Sequence, residues 1–144
     1  MTALEARLRD TARAGPYLAP NDLRALADAV RKSDLTLLHL DIKGVRDKRG
    51  LLAAIAAALE FPEWFGGNWD ALEERLTELP CNQTHGFVLL LDHCAEFAKY
   101  SPNEFAAAIE IFESAAEFWA EQDKVFWTLF GGIKTPVAGI RPLT

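Results

Sequence analysis

Three short apolar runs, residues 35–42 (LTLLHLDI), 87–92 (FVLLLD) and 125–130 (VFWTLF), are separated by longer segments with helical periodicity. This alternation constrains the fold more than any other feature. The runs are rich in strand-compatible residues and lack clean in-out alternation, as expected of strands covered on both faces. Between the first two, residues 48–60 place Leu51, Leu52, Ile55 and Leu59 at helical spacing. Residues 69–79 then space Trp69, Leu72, Leu76 and Leu79 at intervals of 3, 4 and 3. Every strand-to-strand connection therefore contains helix. The expected architecture is α/β, a small three-stranded parallel sheet packed by helices, with right-handed crossovers.

Punctuation supports these elements. Gly66-Gly67-Asn68 supplies a tight turn and an N-cap before the helix at 69–79, and Asp70 stands where the helix dipole favours an anion. Ser101 and Glu104 have capping-box spacing, with Pro102 at the first helical position of a long helix. Its apolar face is Phe105, Ala108, Ile109, Phe112, Ala116 and Trp119, and Glu110, Glu113, Glu117 and Glu121 form an acidic ridge. A shorter helix is expected at 96–99. Residues 1–34 read as a helical N-terminal extension covering a sheet face or edge. There Thr2 and Glu5 can cap one helix, and Pro20-Asn21 introduces another with Leu23, Leu26, Ala27 and Val30 inward. Residues 35–131 form the main domain. Residues 132–144, with Pro136, Gly139 and Pro142, form an irregular tail.

At 144 residues one domain is expected. The apolar runs fall far short of the roughly 20 residues needed to cross a bilayer, so no membrane is expected as a partner. Glu5, Arg7, Arg9 and Asp10 interrupt the opening segment where a signal peptide needs an apolar stretch, which gives a cytoplasmic expectation. Cys81 and Cys94 are too few for a disulfide framework, and His39, His85 and His93 match no metal spacing. No phosphate-cradling loop or nucleophile elbow is present, so neither cofactor nor metal is expected. The net charge of −6 disfavours direct binding of nucleic acid. That charge is unevenly spread: residues 60–123 hold fourteen acids against Arg75 and Lys99, for a net −12, whereas residues 1–59 and 124–144 each carry +3. Such polarity steers a basic partner and also keeps a protein soluble.

On the helix at 69–79 the apolar stripe leaves Asp70, Glu74 and Thr77 in register at i, i+4 and i+7, with Glu73 and Glu78 beside them. Pro62-Glu63-Trp64-Phe65-Gly66 sets two large aromatics just upstream. Periodicity alone leaves two readings open. One is a solvated helix face beside a core aromatic pair; the other is an interface anchor ringed by charge-assisted contacts.

Residues 59–79, LEFPEWFGGNWDALEERLTEL, resemble the barstar family of intracellular ribonuclease inhibitors, which carry a Pro-acid-aromatic-aromatic-Gly-x-Asn-x-Asp-Ala-Leu stretch in the same context. The resemblance extends more loosely over about 35–130. It implies a three-stranded parallel sheet with helices, and stoichiometric plugging of a ribonuclease active site by the second helix and its preceding loop. Asp70 falls on a family interface aspartate, Trp64 on an interface tyrosine and Thr77 on an interface threonine. Glu74 falls on the dominant interface aspartate, one methylene longer. Glu73 replaces a tryptophan, and a later-helix glutamate falls on Ser114, near Glu113 and Glu117. The implied partner is a basic ribonuclease or related toxin, bound by a chain that is monomeric when free. Two alternatives stay open: a binding module for a different basic protein, and a carboxylate-dependent enzyme using Asp70 and Glu74. A Cys-His nucleophile at Asp92-His93-Cys94 is disfavoured, because adjacent strand side chains point to opposite faces.

Overall fold

The structure, a computed structural model, describes residues 2–62, 67–134, 137 and 139–143. In chain order the elements are α1 (Ala3–Leu8), β1 (Pro16–Leu18), α2 (Leu23–Lys32), β2 (Thr36–Asp41), α3 (Lys48–Ala58) and α4 (Trp69–Leu76). They continue with β3 (Gly86–Asp92), α5 (Ala95–Tyr100), α6 (Pro102–Glu121) and β4 (Val125–Phe130). The sheet is parallel throughout, but it has four strands in the order β1-β4-β3-β2, which corrects the expectation of three. The additional strand is β1, paired with residues Thr128 to Phe130 of β4. Three residues are too few to establish a period of two, and a leading Pro reads as a breaker. Proline is tolerated as the first residue of an edge strand, which is the place Pro16 takes.

The absence of alternation in β3 and β4 follows from helices on both faces. Phe87, Leu89, Leu91, Phe126 and Phe130 meet the buried residues of α3, α4, α5 and α6 on one side. Val88, Leu90, Val125, Trp127 and Leu129 meet Leu8, Leu26, Ala29 and Val30 of α1 and α2 on the other. The first 34 residues thus supply both an edge strand and one covering layer. In α2 the inward small residue is Ala29, while Ala27 is exposed. At about 100° per residue Ala27 and Ala29 lie equally far to either side of the stripe set by Leu26 and Val30, and it is packing against the sheet that takes the Ala29 side. Thr2 and Glu5 form the expected capping box on α1.

The tail is clasped to β1: the Leu18 amide donates to the Arg141 carbonyl at 2.8 Å, and the Leu143 amide donates to the Leu18 carbonyl at 3.1 Å. Gly86 opens β3 at φ +149, where a Cβ would run into the backbone of Val125 on the neighbouring strand. Only glycine meets that approach.

Thr128, fully buried in β4, has a hydroxyl with no hydrogen-bond partner among the described residues. An unpaired buried hydroxyl costs about 1 to 3 kcal/mol, and valine has nearly the same shape and suits a strand. Thr128→Val is therefore expected to raise stability by about 1 kcal/mol in urea denaturation. A loss of stability would mean that the hydroxyl is satisfied.

Candidate functional site

A cap, core packing and contacts from neighbouring elements position α4. The Asn68 side chain accepts from the Ala71 amide at 2.7 Å and caps the helix, after Gly67 has turned the chain at φ +66. Leu72 and Leu76 anchor its inner face in the core. Trp119 of α6 donates its indole N–H to the Leu76 carbonyl at 3.0 Å, satisfying one of the last-turn acceptors. Trp69, half-buried, donates to the Glu104 carboxylate at 3.0 Å, and the Lys48 ammonium lies 5.5 Å from the centre of its ring.

Glu104 was expected to complete a capping box with Ser101. Neither residue does so: the Ser101 hydroxyl donates to the Arg46 carbonyl, and the Ser101 amide closes α5 on Phe97. With that amide occupied, the Glu104 carboxylate is left to hold α4 through Trp69. Sequence reasoning missed this role because an acid three residues after a serine has the same spacing whichever group it serves.

Anchored this way, α4 turns Asp70 and Glu74 out to solvent, with Glu73 and Thr77 half-buried beside them. At 100° per residue all four fall within an arc of about 100°. The Thr77 hydroxyl donates to the Glu74 carbonyl at 2.7 Å. Glu78 differs from the others, since it pairs with Arg75 at 3.1 Å. Among the described residues, Asp70, Glu73 and Glu74 have no ion-pair partner. Like charges at i and i+4 are mutually destabilising by about 0.2 to 0.5 kcal/mol, so this face is poised to gain from an incoming cation. Trp64, with Glu63, Phe65 and Gly66, lies outside the described residues.

A second group of titratable residues sits at the carboxyl ends of β2 and β3. His93 Nδ1 is 2.8 Å from an Asp41 carboxylate oxygen, and His39 Nε2 is 3.8 Å from Asp92. The backbone amide of Lys43, and next the His93 hydrogen bond, hold the Asp41 carboxyl below its usual range. Cys94 is not part of this group. The chain turns at His93 with φ +58, and the Cys94 thiol points inward, donating to the Leu91 carbonyl. The two residues lie past the strand end, and this turn, in place of strand alternation, is what separates their side chains.

Burial, reinforced by the charge of Asp92, pushes the Cys94 thiol up to about 12. The folded state keeps this proton while an unfolded thiol loses it near 9, so the contribution to stability is intact below pH 9. It is lost progressively as pH rises from about 9 to about 12. Denaturation across that window should therefore show a steeper loss for the natural chain than for Cys94→Ala. Parallel curves would exclude the buried thiol as the source.

A family profile described as Barstar (barnase inhibitor) matches residues 35–131, from the start of β2 to the end of β4. The chain belongs to the barstar family. No match was found among curated proteins. The barstar match encloses α4 and the loop before it, and leaves α1, β1, α2 and the tail outside. Members of this family are inhibitors. No helix among the described residues is long and apolar enough to cross a membrane. On α6, Ser114 is half-buried, and its neighbours Glu113 and Glu117 line a cleft with residues 11–17 and 139–141. Glu113 is nine residues from Glu104, about half a turn round the helix from the contact with α4.

Proposed function

We propose that this protein is a stoichiometric inhibitor of a basic ribonuclease, inserting α4 and the loop at 62–68 into the enzyme's active site. The observation that carries the reading is the pair of exposed carboxylates, Asp70 and Glu74, unpaired among the described residues, on the helix enclosed by the barstar match. These groups take the place of substrate phosphates opposite the Arg, Lys and His side chains with which a ribonuclease binds and cleaves RNA. Thr77 and Glu73 border them, and Trp64 supplies the aromatic contact from the loop. No bond is made or broken on this chain. Inhibition results from occupancy alone, and the net −12 of residues 60–123 raises the encounter rate.

Titration of a panel of small basic ribonucleases is expected to abolish activity of at least one with an end point near one equivalent. Its association rate should fall markedly as salt rises, while dissociation changes little. A large excess without effect across the panel removes the ribonuclease as partner. The half-buried carboxylate of Glu73 and the uncharged Ser114 favour a second reading, a basic toxin of another activity on the same face. Capture of such a toxin by a chain inert in the panel would decide for it.

A further inference from the structure

Inhibition through α4 makes no use of the basic flanks of the sequence. The fold brings parts of both together. With the tail clasped to β1, residues 7–17 and 141–143 enclose a cleft of about 560 Å³. Arg7, Arg13 and Arg141 line it, with Tyr17, Trp127 and Leu143 as apolar wall, and none of its lining residues is acidic. The Arg7 and Arg141 guanidinium groups have no hydrogen-bond or ion-pair partner among the described residues. Arg13 has only a 3.8 Å approach to Asp10, with both side chains largely exposed, so it gains little there. In a chain of net charge −6, three guanidinium groups around one hollow are a local reversal of sign.

The walls add a second requirement. The Tyr17 and Trp127 rings are 5.5 Å apart, and each polar atom is already committed: the Tyr17 hydroxyl donates to the Arg13 carbonyl, and the Trp127 indole N–H donates to the Leu8 carbonyl. Trp127 is fully buried and backs the half-buried Tyr17, whose ring is the apolar surface offered to a ligand. Guanidinium groups match phosphate oxygens in pairs and also stack on flat rings. A small molecule that satisfies both halves of the cleft carries phosphate at one end and a planar ring at the other.

We propose that this cleft binds a nucleoside phosphate, with Arg7, Arg13 and Arg141 on the phosphate and the half-buried Tyr17 ring, backed by the buried Trp127 and Leu143, against the base. Its volume lies within the range of about 300 to 1,000 Å³ typical of small-molecule sites. Glu113 and Glu117 border the adjoining hollow, which Arg13 and Arg141 also line, and so confine the anion to the Arg7 side. Apart from Trp127, every lining residue lies outside 35–131, so this site belongs to what the chain adds to the family domain. No residue of α4 lines it, and occupancy leaves the acidic face free.

Calorimetry of the full chain with AMP, GMP, ADP and GDP, with their nucleosides and with inorganic phosphate, tests the assignment. At least one nucleotide is expected to bind with single-site stoichiometry, at least about tenfold more tightly than its nucleoside and than inorganic phosphate. Arg7→Gln and Arg141→Gln should each weaken that nucleotide about tenfold. Arg141 is exposed and lies in no helix, so Arg141→Gln carries the test even if Arg7→Gln impairs folding of α1. Absence of nucleotide binding, equal binding of inorganic phosphate, or an unaltered affinity in Arg141→Gln overturns the proposal. Binding of an RNA oligonucleotide without binding of any mononucleotide also overturns it, and assigns the surface to RNA.

Discussion

Replacing Trp127 by alanine is expected to lower the stability of the chain by about 3 to 5 kcal/mol, the range for deleting a fully buried aromatic side chain. Trp127 is on β4, inaccessible to solvent, in the cluster that joins the sheet to Leu8, Leu26 and Val30. Its indole N–H is also the partner of the Leu8 carbonyl, at 2.8 Å, across 119 residues of sequence. Trp127→Phe keeps most of the ring but strands that carbonyl, and should cost less, about 1 to 2 kcal/mol. The two layers share β4: Trp127 and Leu129 serve one face, Phe126 and Phe130 the other. Loss of Trp127 should therefore shift one cooperative transition, with probes of α1 and of the sheet moving together in urea. If α1 and α2 melt first and leave the sheet intact, residues 1–34 form a separable layer on a self-sufficient domain.

The relation of that layer to the sheet is where the sequence was hardest to read. The apolar runs at 87–92 and 125–130 locate β3 and β4 within a residue, because a strand buried on both faces must be apolar throughout. Asn68 and the Trp69, Leu72, Leu76 spacing likewise locate α4, since cap chemistry and a 3, 4 rhythm are local properties. β1 was illegible because it owes its existence to the exposed edge of β4 and to the tail, both more than 100 residues away. Glu104 was misassigned for the same reason: its partner Trp69 is distant in sequence, while Ser101 is near. On α4 the outward placement of Asp70 and Glu74 follows from periodicity. The half-burial of Glu73 does not, because it depends on how α4 sits against its neighbours. Trp64 lies outside the described residues, so its place beside this face rests on the family resemblance alone.

Glu74 is the residue on which the proposed inhibition turns. It is exposed on α4 and has no ion-pair partner among the described residues, and the sequence resemblance implies that it falls on the family's dominant interface aspartate. If its carboxylate enters the phosphate site of the ribonuclease, Glu74→Gln keeps the shape and removes the charge, leaving buried basic groups without a counterion. The expected loss is about 2 to 5 kcal/mol of binding free energy, a range to which the barstar–barnase complex itself contributed. Glu73→Gln should cost much less, since Glu73 is half-buried where Glu74 is exposed. Neither substitution touches Leu72 or Leu76, so the thermal midpoint of both variants should stay near that of the natural chain. Glu74→Asp separates two histories of the position. If the extra methylene is drift, the shorter aspartate improves inhibition of barnase-like enzymes; if it is an adaptation to a deeper or wider phosphate site, aspartate weakens binding of the native partner, because its carboxylate stops short of the cation. Calorimetry of the folded variants against the identified ribonuclease distinguishes these outcomes, and equal affinities for the natural chain, Glu74→Gln and Glu73→Gln would take Glu74 out of the interface.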